Sequence, residues 1–102
     1  MLIPPELSAG LSFSRRLTIP EFPAPDWYLV LIMRGPSVID LVSTHDGNGH
    51  LLHASAADTA AWTPGLYWYS LRASSPSGVI EIESGETTIK SDLATAAAGY
   101  DG

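Results

Sequence analysis

Residues 62–71, Trp62-Thr63-Pro64-Gly65-Leu66-Tyr67-Trp68-Tyr69-Ser70-Leu71, set a Pro-Gly turn directly before the densest aromatic run in the chain, and few folds accept that combination. Pro64 fixes its φ and Gly65 tolerates dihedrals that no helix continues through, whereas the residues after them favour an extended, packed backbone. A strand starts there. On a pleat, Tyr67, Tyr69 and Leu71 face one side and Leu66, Trp68 and Ser70 the other, so nearly every side chain asks for a packing partner. The pattern is that of an inner strand.

A second stretch asks for the same cover. Trp27-Tyr28-Leu29-Val30-Leu31-Ile32-Met33 is apolar on both parities. It fits a central strand, covered on one side by an opposite sheet and on the other by a partner, an arm or a crossing loop. Upstream, Leu11, Phe13, Leu17 and Ile19 share a parity that Arg15 interrupts. This is an edge strand with a bend whose arginine reaches out to water, or else an arginine reserved for an acidic partner. Pro20, Pro23 and Pro25 make residues 20–25 a connector. Arg34-Gly35-Pro36-Ser37 reads as a reversal into a strand over 38–44, and Asp46-Gly47-Asn48-Gly49 as a hairpin turn into a strand over 50–54. The alanine-rich segment 55–62 crosses between sheets, with Ser55 or Asp58 capping one helical turn and Trp62 plugging the end of the fold. Beyond the aromatic strand, Ile80 and Ile82 are expected inward and Glu81 and Glu83 outward. Ser84-Gly85-Glu86 then reads as a turn into a last strand over 87–90.

Seven short strands at this spacing suit a β-sandwich. Gly65-x-Tyr67-x-Tyr69 resembles the corner at which an immunoglobulin-like sandwich closes, where a tyrosine hydroxyl returns to nearby backbone as its strand begins. The expected fold is all-β, an immunoglobulin-like antiparallel β-sandwich of about seven strands over residues 10–90 with flexible terminal arms. Residues 1–9, with Pro4-Pro5, form an N-terminal arm or a strand addition. Residues 91–102 form a C-terminal arm, in which Asp92 could cap a turn through the alanines that Gly99 ends.

Composition narrows the partners. A chain of 102 residues supports one domain with a modest core. Only 16% of residues are charged, against roughly 25% in an ordinary domain, so part of the surface is either hidden against a partner or built from Ser and Thr. Five basic residues against eleven acidic ones give a net charge of -6, which argues against nucleic acid and anionic membranes alike. With no cysteine there is no disulfide, thiol nucleophile or thiolate metal site. Met1-Leu2-Ile3 runs straight into Pro4-Pro5 without a basic leader, so the expectation is a soluble chain made in the cytoplasm, free to end in an exported particle.

Reactive constellations are thin. His45, Asp46, His50 and His53 are the metal-capable cluster, but His50 and His53 leave opposite faces of a strand. Asp46-x-Asn48-x-His50 opens like a calcium loop and then presents Ala57 where a bidentate glutamate is needed. Glu81 and Glu83 share a strand face expected to be solvated, and there is neither a Gly-x-Ser-x-Gly elbow nor a phosphate loop. The aromatics say more. If the strands at 27–33 and 66–71 are neighbours, one parity of their rings builds the core and the other forms an exposed patch, suited to a protein interface or a sugar platform.

Ala9-Gly10-Leu11-Ser12-Phe13, Asp26-Trp27-Tyr28-Leu29, Ile39-Asp40-Leu41, Gly49-His50, Ala61-Trp62-Thr63-Pro64-Gly65-Leu66-Tyr67-Trp68 and Asp92-Leu93 together resemble small virion structural proteins of tailed bacteriophages and prophages. The resemblance implies a non-enzymatic virion component at the head surface or the head-to-tail junction. It would be assembled in the host cytoplasm, with no cofactor or catalytic residues, and held by a major capsid or other virion protein or by copies of itself. The candidate interface residues are Leu2, Ile3, Arg15, Trp27, Tyr28, Trp62, Trp68, Leu93 and Tyr100. The alternative is a carbohydrate-binding module, possibly on a tail appendage, using Trp62, Trp68 or Tyr28 as platforms, and a small metal-dependent enzyme comes third.

Overall fold

The computed structural model describes residues 2–91. Within them, proline and glycine punctuation cuts the chain into β1 (Glu6–Ser8), β2 (Phe13–Leu17), β3 (Tyr28–Arg34), β4 (Val38–Val42), β5 (Thr44–Asp46), β6 (Gly49–Ala54), α1 (Ala56–Ala60), β7 (Gly65–Ser75) and β8 (Gly78–Lys90). A five-stranded sheet has the order β1-β8-β7-β3-β4, and a three-stranded sheet the order β2-β6-β5. The fold is thus all-β and mostly antiparallel, curled into a half-barrel; β1 alone of the paired strands runs parallel to its neighbour, β8. The curl passes through Ser43, where the chain leaves β4 for β5. The Ser43 N–H donates to the Leu29 carbonyl at 2.8 Å, and the Ser43 Oγ accepts from the Leu29 N–H at 2.8 Å, so Leu29 keeps both partners across the change of sheet.

The core lies between the two sheets. Leu29, Leu31 and Met33 of β3 and Tyr67, Tyr69, Leu71 and Ala73 of β7 are buried against Leu52 and Ala54 of β6 and Phe13 and Leu17 of β2. Trp62 closes one end at 8% exposure. Beside it, the Tyr67 hydroxyl donates to the carbonyl of Thr63, four residues upstream, and meets Ser37 Oγ as well. A tyrosine hydroxyl thus returns to nearby backbone as its strand begins. Ser55 caps α1 reciprocally: its Oγ accepts from the Asp58 N–H at 3.1 Å and its own N–H donates to the Asp58 carboxylate at 3.2 Å. Asp46 pairs with Gly49 across the two-residue loop Gly47-Asn48, where Gly47 takes φ 62°.

Three features depart from strict alternation. Residues 2–9 take the strand-addition form: β1 pairs with β8 and buries Ile3 and Leu7. Pro4 and Pro5 cannot donate to a ladder, so Thr87 Oγ1 reaches the Pro4 carbonyl at 2.9 Å and the Thr88 N–H reaches that of Pro5 at 2.9 Å. The turn expected at Ser84-Gly85-Glu86 is absent, and β8 runs through it unbroken. Gly85 serves packing instead, because a Cβ there would lie 3.2 Å from the Tyr69 ring and hydroxyl. Finally, the ladder slips between Leu71 and Arg72, so Glu81 faces Arg72 while Glu83 faces Leu71. The bulge turns Glu83 to the core side, where outward alternation was expected.

Candidate functional site

β3 and β7 are neighbours, as the aromatic-patch reading required, and their second parity forms the outer face of the five-stranded sheet. Cross-strand register arranges that face in rows. Val38, Arg34, Trp68 and Glu86 make one; Asp40, Ile32, Ser70 and Ser84 the next; Val42, Val30, Arg72 and Glu81 a third. Val38 is 71% exposed, Trp68 62%, Val42 61%, Leu66 53% and Tyr28 45%. Val30 and Ile32 lie half-buried between them. No helix or sheet among the described residues covers this surface.

Two sets of polar groups on the face bond laterally. Arg34 Nη1 donates to Asp40 Oδ1 at 2.8 Å and to the Met33 carbonyl at 2.9 Å. Arg72 Nε donates to Ser70 Oγ at 3.0 Å, and Ser70 Oγ donates to Glu81 Oε1 at 2.6 Å. Such lateral pairing leaves the valines, Leu66 and Trp68 as the groups with most to gain from contact. The face is thus an exposed apolar surface with Arg34–Asp40 and Arg72–Ser70–Glu81 bonded across it.

The candidate residues separate on inspection. Trp68 and Tyr28 are on the exposed face. Tyr28 stands opposite Ser74 and Trp68 opposite Arg34, six positions along β3, so the two rings are about 20 Å apart and form no shared platform. Trp27 is half-buried and set edge-on to Phe22 at 4.8 Å and 64°. Ile3 and Trp62 are buried in this chain's own core, Ile3 because residues 2–9 lie along β8, while Trp62 keeps an edge on the groove beside β4. Leu2 is half-buried, and Arg15 spends its Nε on the Leu2 carbonyl at 2.9 Å, tying β2 to the first residues rather than snorkelling free. Leu93 and Tyr100 lie outside the described residues.

The histidines do not converge. His45 and His50 are paired across the hairpin, but the buried His50 directs Nε2 to the Phe22 carbonyl at 2.7 Å, His53 Nδ1 meets Ser14 Oγ at 2.7 Å, and Asp46 is held by Arg16 at 2.8 Å. Among the described residues no group of three metal-capable side chains forms.

Sequence reasoning missed Glu83. Its carboxylate accepts from the Leu2 N–H at 3.0 Å, the Ile3 N–H at 3.2 Å and the Tyr69 hydroxyl at 2.7 Å. Burial pulls the Glu83 carboxyl upward, but the bonds from Tyr69, Leu2 and Ile3 outweigh it and hold the group below its ordinary value. The Tyr69 hydroxyl is pushed up to about 12, first by burial and then by the bond and charge of Glu83. This cluster fastens the N-terminal strand. The missed members of the outer face, Val38, Val42 and Leu66, were visible as a parity but not as a surface.

No protein-family model matches the chain, and neither does any curated protein.

Proposed function

We propose that this chain is a non-enzymatic structural module of a phage-like particle, an immunoglobulin-like sandwich that docks on a major capsid or other virion protein through the outer face of its five-stranded sheet. The observation that carries the reading is the exposed apolar surface on β3, β4 and β7, from Val38 and Val42 to Trp68 and Leu66, with Arg34 bonded to Asp40 and Arg72 linked through Ser70 to Glu81. A monomer ordinarily covers such a patch or uses it. The Tyr67 corner supports the sandwich assignment, and the resemblance to virion proteins supports the location, at the head surface or the head-to-tail junction. Repeated copies on a lattice would make modest contacts sufficient. The test is co-expression with the neighbouring genes, recovery of the tagged chain and electron microscopy. Labelled density on shells or at a portal vertex is expected, and a free monomer as the sole product refutes it.

The second reading, a carbohydrate-binding module, rests on Trp68 as a single exposed platform. A glycan array read with the native chain and with Trp68→Ala separates the two: glycan binding lost in the variant would replace the virion reading.

A further inference from the structure

Among the described residues β4 is an edge of the five-stranded sheet with no further strand beside it. The bond from the Ser43 N–H to the Leu29 carbonyl fixes the phase of the β3–β4 ladder. Bonded and non-bonded pairs alternate in an antiparallel ladder, so Leu41 and Ile39 turn their backbone groups toward β3, and Val38, Asp40 and Val42 turn theirs outward. Among the described residues no hydrogen bond reaches those outward groups. Exposed edges are ordinarily guarded by lysine, proline or a bulge. β4, Val-Ile-Asp-Leu-Val in unbroken register, has none of these, and its one charge, Asp40, is partly taken up by Arg34 on the outer face.

A groove of about 520 Å3 runs along this edge, with Ala57, Asp58 and Ala61 on its other wall and Trp62 beneath. The two alanines keep that wall low, and Leu41 and Trp62 supply apolar contact. The charged side chains lining it are both carboxylates: Asp40, whose Oδ1 takes Arg34, and Asp58, whose Oδ2 takes the Ser55 N–H, so that among the described residues each has its second oxygen left for a cation. We propose that this groove binds an extended segment of a partner protein as an added strand, with a lysine or arginine of the segment set against Asp40 and Asp58. Backbone pairing with β4 supplies the affinity and the carboxylates the selectivity. A second copy of this chain fits less well, because two-fold pairing of β4 about Asp40 places like charges directly opposite. The site uses the backbone edge of β4, whose Val38 and Val42 side chains also belong to the outer face, and shifts at Leu66 and Trp68 tell the two apart.

The test titrates the isotope-labelled chain with synthetic heptapeptides that alternate valine and threonine about a central lysine, glutamate or serine, and follows backbone amides by NMR. Saturable shifts at Val38, Asp40 and Val42 are expected with the lysine peptide, about tenfold weaker binding with the glutamate peptide, and loss of binding in Ala57→Trp. Ala57 is exposed, so that variant fills the groove without touching the core. The proposal is overturned by no saturable shift with any peptide, by equal affinity for the lysine and glutamate peptides, or by shifts confined to Leu66 and Trp68. It is also overturned if the same amides become protected when the chain alone is concentrated, which would make the occupant a second copy.

Discussion

Replacing Glu83 with alanine removes the acceptor that holds the start of the chain. The Leu2 and Ile3 N–H groups and the Tyr69 hydroxyl all lose it at once. A hydrogen bond to a charged group is worth about 1.5–3 kcal/mol when fully desolvated. Glu83 is only half-buried, and water replaces part of what is lost, so roughly 1 kcal/mol per donor and about 2–3 kcal/mol in all is the working figure. For a domain of this size that is a fall in Tm of roughly 10–15 °C. The pH dependence has a definite sign. Because the folded carboxyl is held below its ordinary value, its contribution is present above the unfolded pKa of about 4.3 and is lost as pH falls through the lower folded value. Urea unfolding of the native chain and Glu83→Ala, at neutral pH and in steps down to strong acid, should show a gap that closes at the acid end. Hydrogen exchange should show Leu7 and Ser8 opening before the core in the variant. A gap below about 0.5 kcal/mol with unchanged exchange in β1 would refute the reasoning.

Tyr69 gives the alkaline counterpart: its hydroxyl is raised to about 12, so its contribution holds below the ordinary value of about 10 and is lost as pH climbs through the folded value, readable as a late phenolate absorbance change. Gly85→Val should cost about 1–3 kcal/mol in denaturant unfolding, because its side chain meets the Tyr69 ring, whereas a glycine needed only for a turn at that point would lose register instead. Tyr67→Phe should cost about 1–2 kcal/mol by leaving the Thr63 carbonyl and Ser37 without their shared partner. Trp68→Ala, on the exposed face, should change stability by less than about 0.5 kcal/mol in the same assay while abolishing partner capture.

What could be read from the residues follows from which forces are local. Pro64-Gly65 and the tyrosines after it placed β7 and its corner, because dihedral limits and pleat parity act within a few residues. The apolar run at 27–33 placed β3 and announced a second face in need of cover, and Val30 and Ile32 do lie half-buried there. The capped turn at Ser55 was legible for the same reason. Gly85 misled, since a glycine that makes room for a distant ring has the same letter as one that turns the chain. Glu83 misled because a one-residue slip in the ladder reverses every later side chain, and a slip depends on the partner strand rather than on local sequence. The β4 groove was invisible for a related reason: Asp40 and Asp58 are far apart in the chain and line one groove only when α1 is set beside a sheet edge.

The most direct test of the outer face as the docking surface places a photo-crosslinking residue at position 68 in one variant and at the exposed position 45, on the other sheet, in a second. Each is co-expressed with the neighbouring genes and irradiated in the cell, and the adducts are identified by mass spectrometry. Crosslinks from position 68 to one shell or junction protein, with none from position 45, are the expected result. Adducts from position 45 alone, or a chain recovered without adducts from either, would contradict it.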